Sequence, residues 1–215
     1  MKNLKLTQEY LICILGENGK PAFLGNERVL LVGAALTELL GAGIVRLDEK
    51  KSKIFVEKAL SDEQSHLAGL YRYLSNKRRT TSQLATDYCF SLSEKLFDEL
   101  MESVCEDLVQ AQYVESKSSG ILRNKKIYLP KPETVEEIKS QIQAKNLDNA
   151  DEKQLTLAFL LEKANRLKKL FDKEEVTAIR EKIKIQSAHH EAIQKMITFL
   201  DELIIVLAAL GAMSV

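Results

Sequence analysis

The chain has no tryptophan, only three prolines, nine glycines, three cysteines and three histidines in 215 residues. So few chain breakers exclude a loop-rich or turn-rich β architecture and leave a mostly helical protein with short connections. Cys13, Cys89 and Cys105 are odd in number, far apart and set among apolar residues. No CxxC occurs, so a disulfide framework and a zinc ribbon are excluded, and reduced core thiols in a cytosolic compartment are expected. Net charge is absent too, with 31 basic against 31 acidic residues. No global field draws the protein to nucleic acid or to an anionic bilayer, and any such attraction must be local. Long apolar runs are also missing. The longest, LIIVLAALGAM at 203–213, falls well short of the ~20 residues that span a bilayer and reads as a helix buried in the core. The start, MKNLKLTQEYLICIL, has lysines and an apolar stretch, but Gln8 and Glu9 interrupt it and no small-residue cleavage site follows. A signal peptide is therefore not expected.

Catalytic and metal-binding patterns are equally scarce. His189 and His190 are adjacent, so on a helix they diverge by about 100° and share a metal ion poorly; His66 is remote and no HExxH is present. Gly16-Glu17-Asn18-Gly19-Lys20 lacks the spacing of a phosphate loop, and Pro21 follows where a helix should start, so it reads as an Asn-Gly turn. We expect no catalytic residue, no cofactor and no metal site.

What is present is helical periodicity interrupted by hairpins. LTQEYLICIL (6–15) has apolar residues on most faces, as a buried helix does, with Thr7 in an N-cap position. Leu31, Ala35, Leu36, Leu39 and Leu40 form the stripe of a second helix, which Gly41 and Gly43 end. Residues 44–58 then read as strand, charged turn, strand. The same plan returns about 65 residues later. Leu96, Phe97, Leu100, Met101, Val104, Cys105 and Leu108 make the stripe, and YVESKSSGILRNKKIYLP (113–130) makes the hairpin, with Ser118-Ser119-Gly120 as its reversal.

Each unit has the order of a winged helix, which raises nucleic-acid recognition as an alternative function. Charge argues against it. Residues 93–110 hold Glu94, Asp98, Glu99, Glu102, Glu106 and Asp107 against Lys95 alone, and such a helix is repelled by phosphates. Only the wings and Lys77-Arg78-Arg79 remain as basic surface.

The second hairpin is the more informative feature. It sets Ile121 and Leu122 near its tip among Lys117, Arg123, Lys125 and Lys126. An apolar pair ringed by cations suits contact with an anionic membrane surface, with another protein or with a second copy of the chain, although exposed apolar pairs also occur on ordinary surfaces. Beyond Pro130 and Pro132, Thr134 with Glu137 reads as a capping box, and NLDNADEKQ as a polar joint. A last block follows. Leu157, Leu160, Leu161, Ala164, Leu167 and Phe171 define one face, Val176, Ile179, Ile183 and Ile185 another, and 192–210 a third. The expected fold is mainly α, one globular domain over 1–215. It comprises a helix-hairpin unit at 1–60, a second at 61–130, and C-terminal helices at 131–215 around a buried apolar helix.

Taken in order, LTQEYLICIL (6–15), GAALTELLGAGIVRLD (33–48), LVQAQYVESK (108–117), ADEKQLTLAFLL (150–161) and LDELIIVLAAL (200–210) make the chain resemble the Golgi phosphoprotein 3 family nearly end to end. The resemblance implies a non-enzymatic, cytoplasmic protein that reaches membranes peripherally. Eukaryotic members bind phosphatidylinositol 4-phosphate and the tails of Golgi glycosyltransferases, and their hairpin enters bilayers or pairs with copies. The family's headgroup site uses a Trp, an Arg early in the first unit's helix and two bases on the second unit's helix. Here the first falls near Phe23 or Leu24, the second near Val32, and the last two near Asp98 and Met101. The donors are therefore missing, and Asp98 opposes a phosphate by like charge.

Overall fold

In the computed structural model of the chain, residues 4–15, 26–48, 53–91, 93–119, 125–189, 194, 197–202 and 204–205 are described. A short helix at the centre organises everything else. This helix, α1 (Leu6–Ile14), buries all nine of its residues, so its polar side chains must find partners inside the protein. They do so on three different helices. Thr7 Oγ1 donates to Glu38 Oε2 at 2.9 Å on α2 (Glu27–Gly41). Gln8 Nε2 donates to Asp107 Oδ2 at 2.5 Å on α5 (Lys95–Gln110). Lys153 Nζ, on α7 (Glu152–Lys163), donates to Glu9 Oε1 at 2.8 Å. Thr7 is therefore not the N-cap, which is Lys5; Gln8 Oε1 reaches back to accept from the Lys5 N–H at 2.8 Å.

The three surrounding helices end alike. After α2, Gly43 at φ +64° donates its N–H to Leu40 O, and Ile44 donates to Leu39 O. After α5, Gln112 and Tyr113 donate to Val109 O and Leu108 O; after α7, Asn165 and Arg166 donate to Glu162 O and Leu161 O. This is the Schellman pattern, which satisfies the last carbonyls of a helix and turns the chain back. Gly41 itself is the last helical residue, so the left-handed residue is Gly43 alone. The repeat seen in the sequence thus has a third echo at α7.

Each of the first two turns leads into a hairpin. Strands β1 (Val45–Asp48) and β2 (Lys53–Val56) pair antiparallel, Arg46 opposite Phe55. The short strand β3 (Arg79–Thr80) adds to the free edge of β2, Ile54 opposite Arg79. Residues from the second stretch of chain therefore complete the first sheet. A 3-10 helix (Asp62–Leu67), α3 (Ala68–Asn76) and α4 (Thr81–Cys89) connect the two units. The α4 helix starts on a capping box of Thr80 and Gln83. The second hairpin is β4 (Val114–Ser119) with β5 (Lys125–Pro130).

Helix α6 (Pro132–Gln141) starts with a proline in its first turn and Lys131 as N-cap. Thr134 is buried, so it is not the cap expected from the sequence. The polar joint instead holds a 3-10 helix (Ala144–Asn149) and the cap of α7, where Asp151 Oδ1 accepts from the Gln154 N–H at 2.8 Å. Helices α8 (Leu167–Leu170) and α9 (Lys173–His189) complete the labelled elements. Val176, Ile179 and Ile183 of α9 are buried, but Ile185 is 44% exposed, because two residues beyond Ile183 it lies about 200° round the helix, off the buried face. Phe199 and Leu200 reach the core, while Ile205 is 66% exposed; residues 206–213 of the C-terminal apolar run lie outside the described residues. One hydrophobic cluster runs from Leu4 to Leu200 through every labelled element except β3. A buried ion pair, Arg166 Nη2 to Glu27 Oε1 at 3.2 Å, ties the end of the α7 turn to the start of α2. The fold is mainly α with two small antiparallel sheets.

Candidate membrane or partner surface

The second hairpin is held at its base by the helix that precedes it. In register, Val114 faces Pro130, Ser116 faces Tyr128 and Ser118 faces Lys126, so alternation puts these side chains on one face. Val114 is 2% and Tyr128 4% exposed, which makes this the face laid against α5. Lys126 shares it. Its Nζ donates to Glu106 Oε1 at 2.7 Å and to Glu102 Oε1 at 3.1 Å. These two carboxylates hold the ammonium above the usual lysine range. Lys117 lies on the other face, largely exposed, with Glu115 3.9 Å away.

The expected ring of four cations is thus divided. Lys126 is committed to α5 and Lys117 points away from it. The backbone of Lys125 pairs with Ser119, and Ile121, Leu122 and Arg123 lie outside the described residues. Strand β4 continues through Ser119, so Ser118 and Ser119 belong to the strand rather than to the expected reversal, and Gly120 lies outside the described residues. Sequence reading missed the bond between Lys126 and α5. The signal was Glu102 and Glu106, four residues apart and so on one helical face beside the wing.

The positions that the resemblance sets at the family's headgroup site differ in their surroundings. Phe23 and Leu24 lie outside the described residues. Val32 is 2% exposed, within a run from Val29 to Leu36 that is buried throughout, and it offers no surface to a ligand. Asp98 is exposed in the first turn of α5, whereas Met101 packs against the core. One basic residue that reaches the start of α5 is one the sequence reading passed over. Arg28, one turn before Val32, places Nη1 2.8 Å from Glu94 Oε1 and its Cζ 4.4 Å from the Phe97 ring centroid. The guanidinium joins α2 to the start of α5 as a structural strut.

The triplet Lys77-Arg78-Arg79 is partly consumed as well. Arg79 lies over Tyr73 at 4.4 Å and 3.7 Å from Asp87, while Arg78 lies over Phe55 at 5.4 Å. On α5, Asp98, Glu99, Glu102 and Glu106 are exposed, so the helix that would enter a DNA groove presents carboxylates.

Burial pushes the thiols of Cys13 and Cys105 up, and that of Cys89 to about 12, so they are protonated at neutral pH. His66 Nε2 sits 3.0 Å from Glu38 Oε1, both side chains buried, where it braces α2. Among the described residues no group of three or more His, Cys, Asp or Glu is placed to hold a metal ion, and no helix is long and apolar enough to cross a membrane. His190 and the side chain of His189 lie outside the described set, as do residues 16–20.

Comparison with curated proteins finds no match. Comparison with family models matches the description Golgi phosphoprotein 3 (GPP34) over residues 6–199. The match spans α1, both hairpins, the helices between them and the C-terminal block through Phe199, and with the order of elements above it leads to one conclusion: the chain belongs to the Golgi phosphoprotein 3 family.

Proposed function

We propose that this protein is a non-enzymatic adaptor that attaches reversibly to an anionic membrane surface through its second hairpin, without selectivity for phosphatidylinositol 4-phosphate. The observation that carries the reading is the way the hairpin is mounted. Val114 and Tyr128 towards its base and Lys126 towards its other end hold one face of the ribbon against α5, while Lys117 on the opposite face stays exposed. Between the two strands the sequence runs Gly120-Ile121-Leu122-Arg123, an apolar pair beside a cation, and to this stretch we assign the membrane contact. Basic residues close to an anionic surface each contribute about 1 kcal/mol, and a shallow apolar pair adds a modest insertion term. The sum supports weak, reversible attachment. The acids of α5 oppose a nucleic-acid role, and the headgroup positions Val32, Asp98 and Met101 supply no donor fork for a phosphate monoester.

Co-sedimentation with phosphatidylcholine vesicles, with and without phosphatidylserine, at low and high salt tests this reading. Binding is expected only with the anionic lipid, weakened by salt, and lost in the variant carrying Ile121→Asp and Leu122→Asp. Equal binding to both lipids, or an unaffected variant, would overturn it and favour another protein or a second copy as the occupant of the hairpin.

A further inference from the structure

The first hairpin and the segment that joins its free edge bring several cations together. In the three-stranded sheet, Arg46 on β1 is opposite Phe55 on β2, and the β2–β3 register, Ile54 opposite Arg79, brings Arg78 to the other side of the same ring. The Arg46 guanidinium carbon lies 4.7 Å and that of Arg78 5.4 Å from the Phe55 ring centroid. Val45 and Ile54 are each 3% exposed and face the core, so Arg46, Lys53 and Phe55 share the outward face. Arg46 is 57% exposed in its side chain, and Lys53, Lys77 and Arg78 are exposed as well. Two acids share the area, Asp48 and Glu57. Glu57 Oε1 accepts from Arg46 Nε at 3.0 Å, the edge of the guanidinium away from its Nη pair.

A half-buried aromatic ring between two arginines reduces their rotamer freedom and holds both guanidinium planes in place, so less entropy is lost when each engages a phosphate. We propose that this outer sheet face, Arg46–Phe55–Arg78 with Lys53 and Lys77, is a second docking surface for anionic phospholipid headgroups. The occupant is chosen by charge and by the ring. Guanidinium groups from β1 and from the residue just before β3 lie over Phe55, so the ring is not open for a nucleobase to stack on, which is what sheet-based single-strand binders require. The exposed cations of this outward face instead suit headgroup phosphates, to which Arg supplies charge-assisted bonds. The proposal rests on the membrane reading of the chain but on none of the residues of the second hairpin.

The test uses the full chain and phosphatidylcholine vesicles with phosphatidylserine. Removing two basic side chains near an anionic surface corresponds to roughly a 25-fold loss of partitioning, and the double variant Arg46→Gln with Arg78→Gln is expected to lose that much. A control with Lys168→Gln and Lys169→Gln, which removes the same charge from the exposed face of α8, should lose far less. Phe55→Leu keeps every charge but removes the ring and should weaken binding severalfold. Circular dichroism and urea midpoints verify that each variant folds. Equal losses in the sheet variant and the α8 control would overturn the proposal, as would salt-sensitive binding of a single-stranded oligonucleotide that the Arg46/Arg78 variant abolishes. If the Ile121/Leu122 variant loses vesicle binding while the sheet variant keeps it, the second hairpin alone meets the membrane and only this proposal fails. The reverse pattern leaves this surface standing and removes the hairpin tip.

Discussion

Lys126 Nζ donates to Glu106 Oε1 across 2.7 Å, which ties the wing of the second unit to the helix it follows and withdraws that cation from the outward surface. The two glutamates that grip it therefore set how basic the hairpin is. Exchanging Glu102→Gln and Glu106→Gln together frees the ammonium. Affinity for phosphatidylserine vesicles should then rise severalfold, more than in the charge-matched variant Asp98→Asn with Glu99→Gln on the same helix. Equal gains in the two variants would mean that net charge alone acts and that the position of Lys126 is immaterial. Lysine stays charged through the neutral range, so the effect should not depend on pH there.

Glu9 supplies a pH signature of the buried α1. Burial raises its carboxyl above the ordinary value of 4.5, with Lys153 only partly offsetting that effect. A folded-state pKa above the unfolded one means that the native state takes up the proton first as pH falls. The associated stability is therefore greatest below the unfolded value and is lost as pH rises through the folded one. Against Glu9→Gln, the wild type should gain relative stability between neutral pH and about 4.5, read from urea midpoints at the two ends. A relative loss over that interval would mean that the bond to Lys153 outweighs burial.

The three like turns differ in the residue that occupies the left-handed position: Gly43, Gln112 and Asn165, all at positive φ. A non-glycine residue there costs roughly 1–2 kcal/mol, of which part returns through the lower entropy of its unfolded chain. Gln112→Gly should therefore stabilise the protein by up to about 1 kcal/mol. Gly43→Ala should destabilise it by about the same, since a Cβ at that φ also meets Lys58 Nζ at 3.2 Å. Opposite shifts in the urea midpoint are the expected outcome, and shifts of the same sign would contradict it.

Periodicity alone was enough to place α2 and α5, because Leu31, Leu36, Leu39 and the stripe from Phe97 to Leu108 repeat at helical spacing and face one core, while strand-type residues on either side of polar turns placed the two hairpins. Local chemistry was less decisive where a residue could serve two ends. Thr7 and Thr134 each stand before an apolar run, and a threonine there reads as a cap; whether it caps or is buried depends on helices distant in the chain, as the Thr7–Glu38 bond demonstrates. The same limit hid the Arg28–Phe97 stack and the union of Arg46, Phe55 and Arg78, since β3 joins β2 only in the folded sheet. Glu102 and Glu106 looked like a solvated acidic face until the wing placed Lys126 over them.

Val32, which the resemblance sets at the position of the family's first-unit arginine, bears on the family's ligand through its burial. Its position is inside the core at 2% exposure, so Val32→Arg buries an unpaired charge at a cost of several kcal/mol and cannot by itself restore a donor. On α5 the matching residues are an exposed acid and a packed methionine, Asp98 and Met101, and Lys95 is the only base along that helix. Selectivity for a phosphate monoester needs donors held in place rather than net charge. At matched surface charge, vesicles with phosphatidylinositol 4-phosphate and vesicles with phosphatidylserine should therefore bind the protein equally in co-sedimentation. Asp98→Arg with Met101→Arg should strengthen binding to both without separating them, because the third donor, at position 32, is still absent. A clear preference of the wild type for the phosphoinositide would mean that other residues have rebuilt the site, and Arg28, one turn before Val32, would be the first to substitute, since its guanidinium already reaches the start of α5.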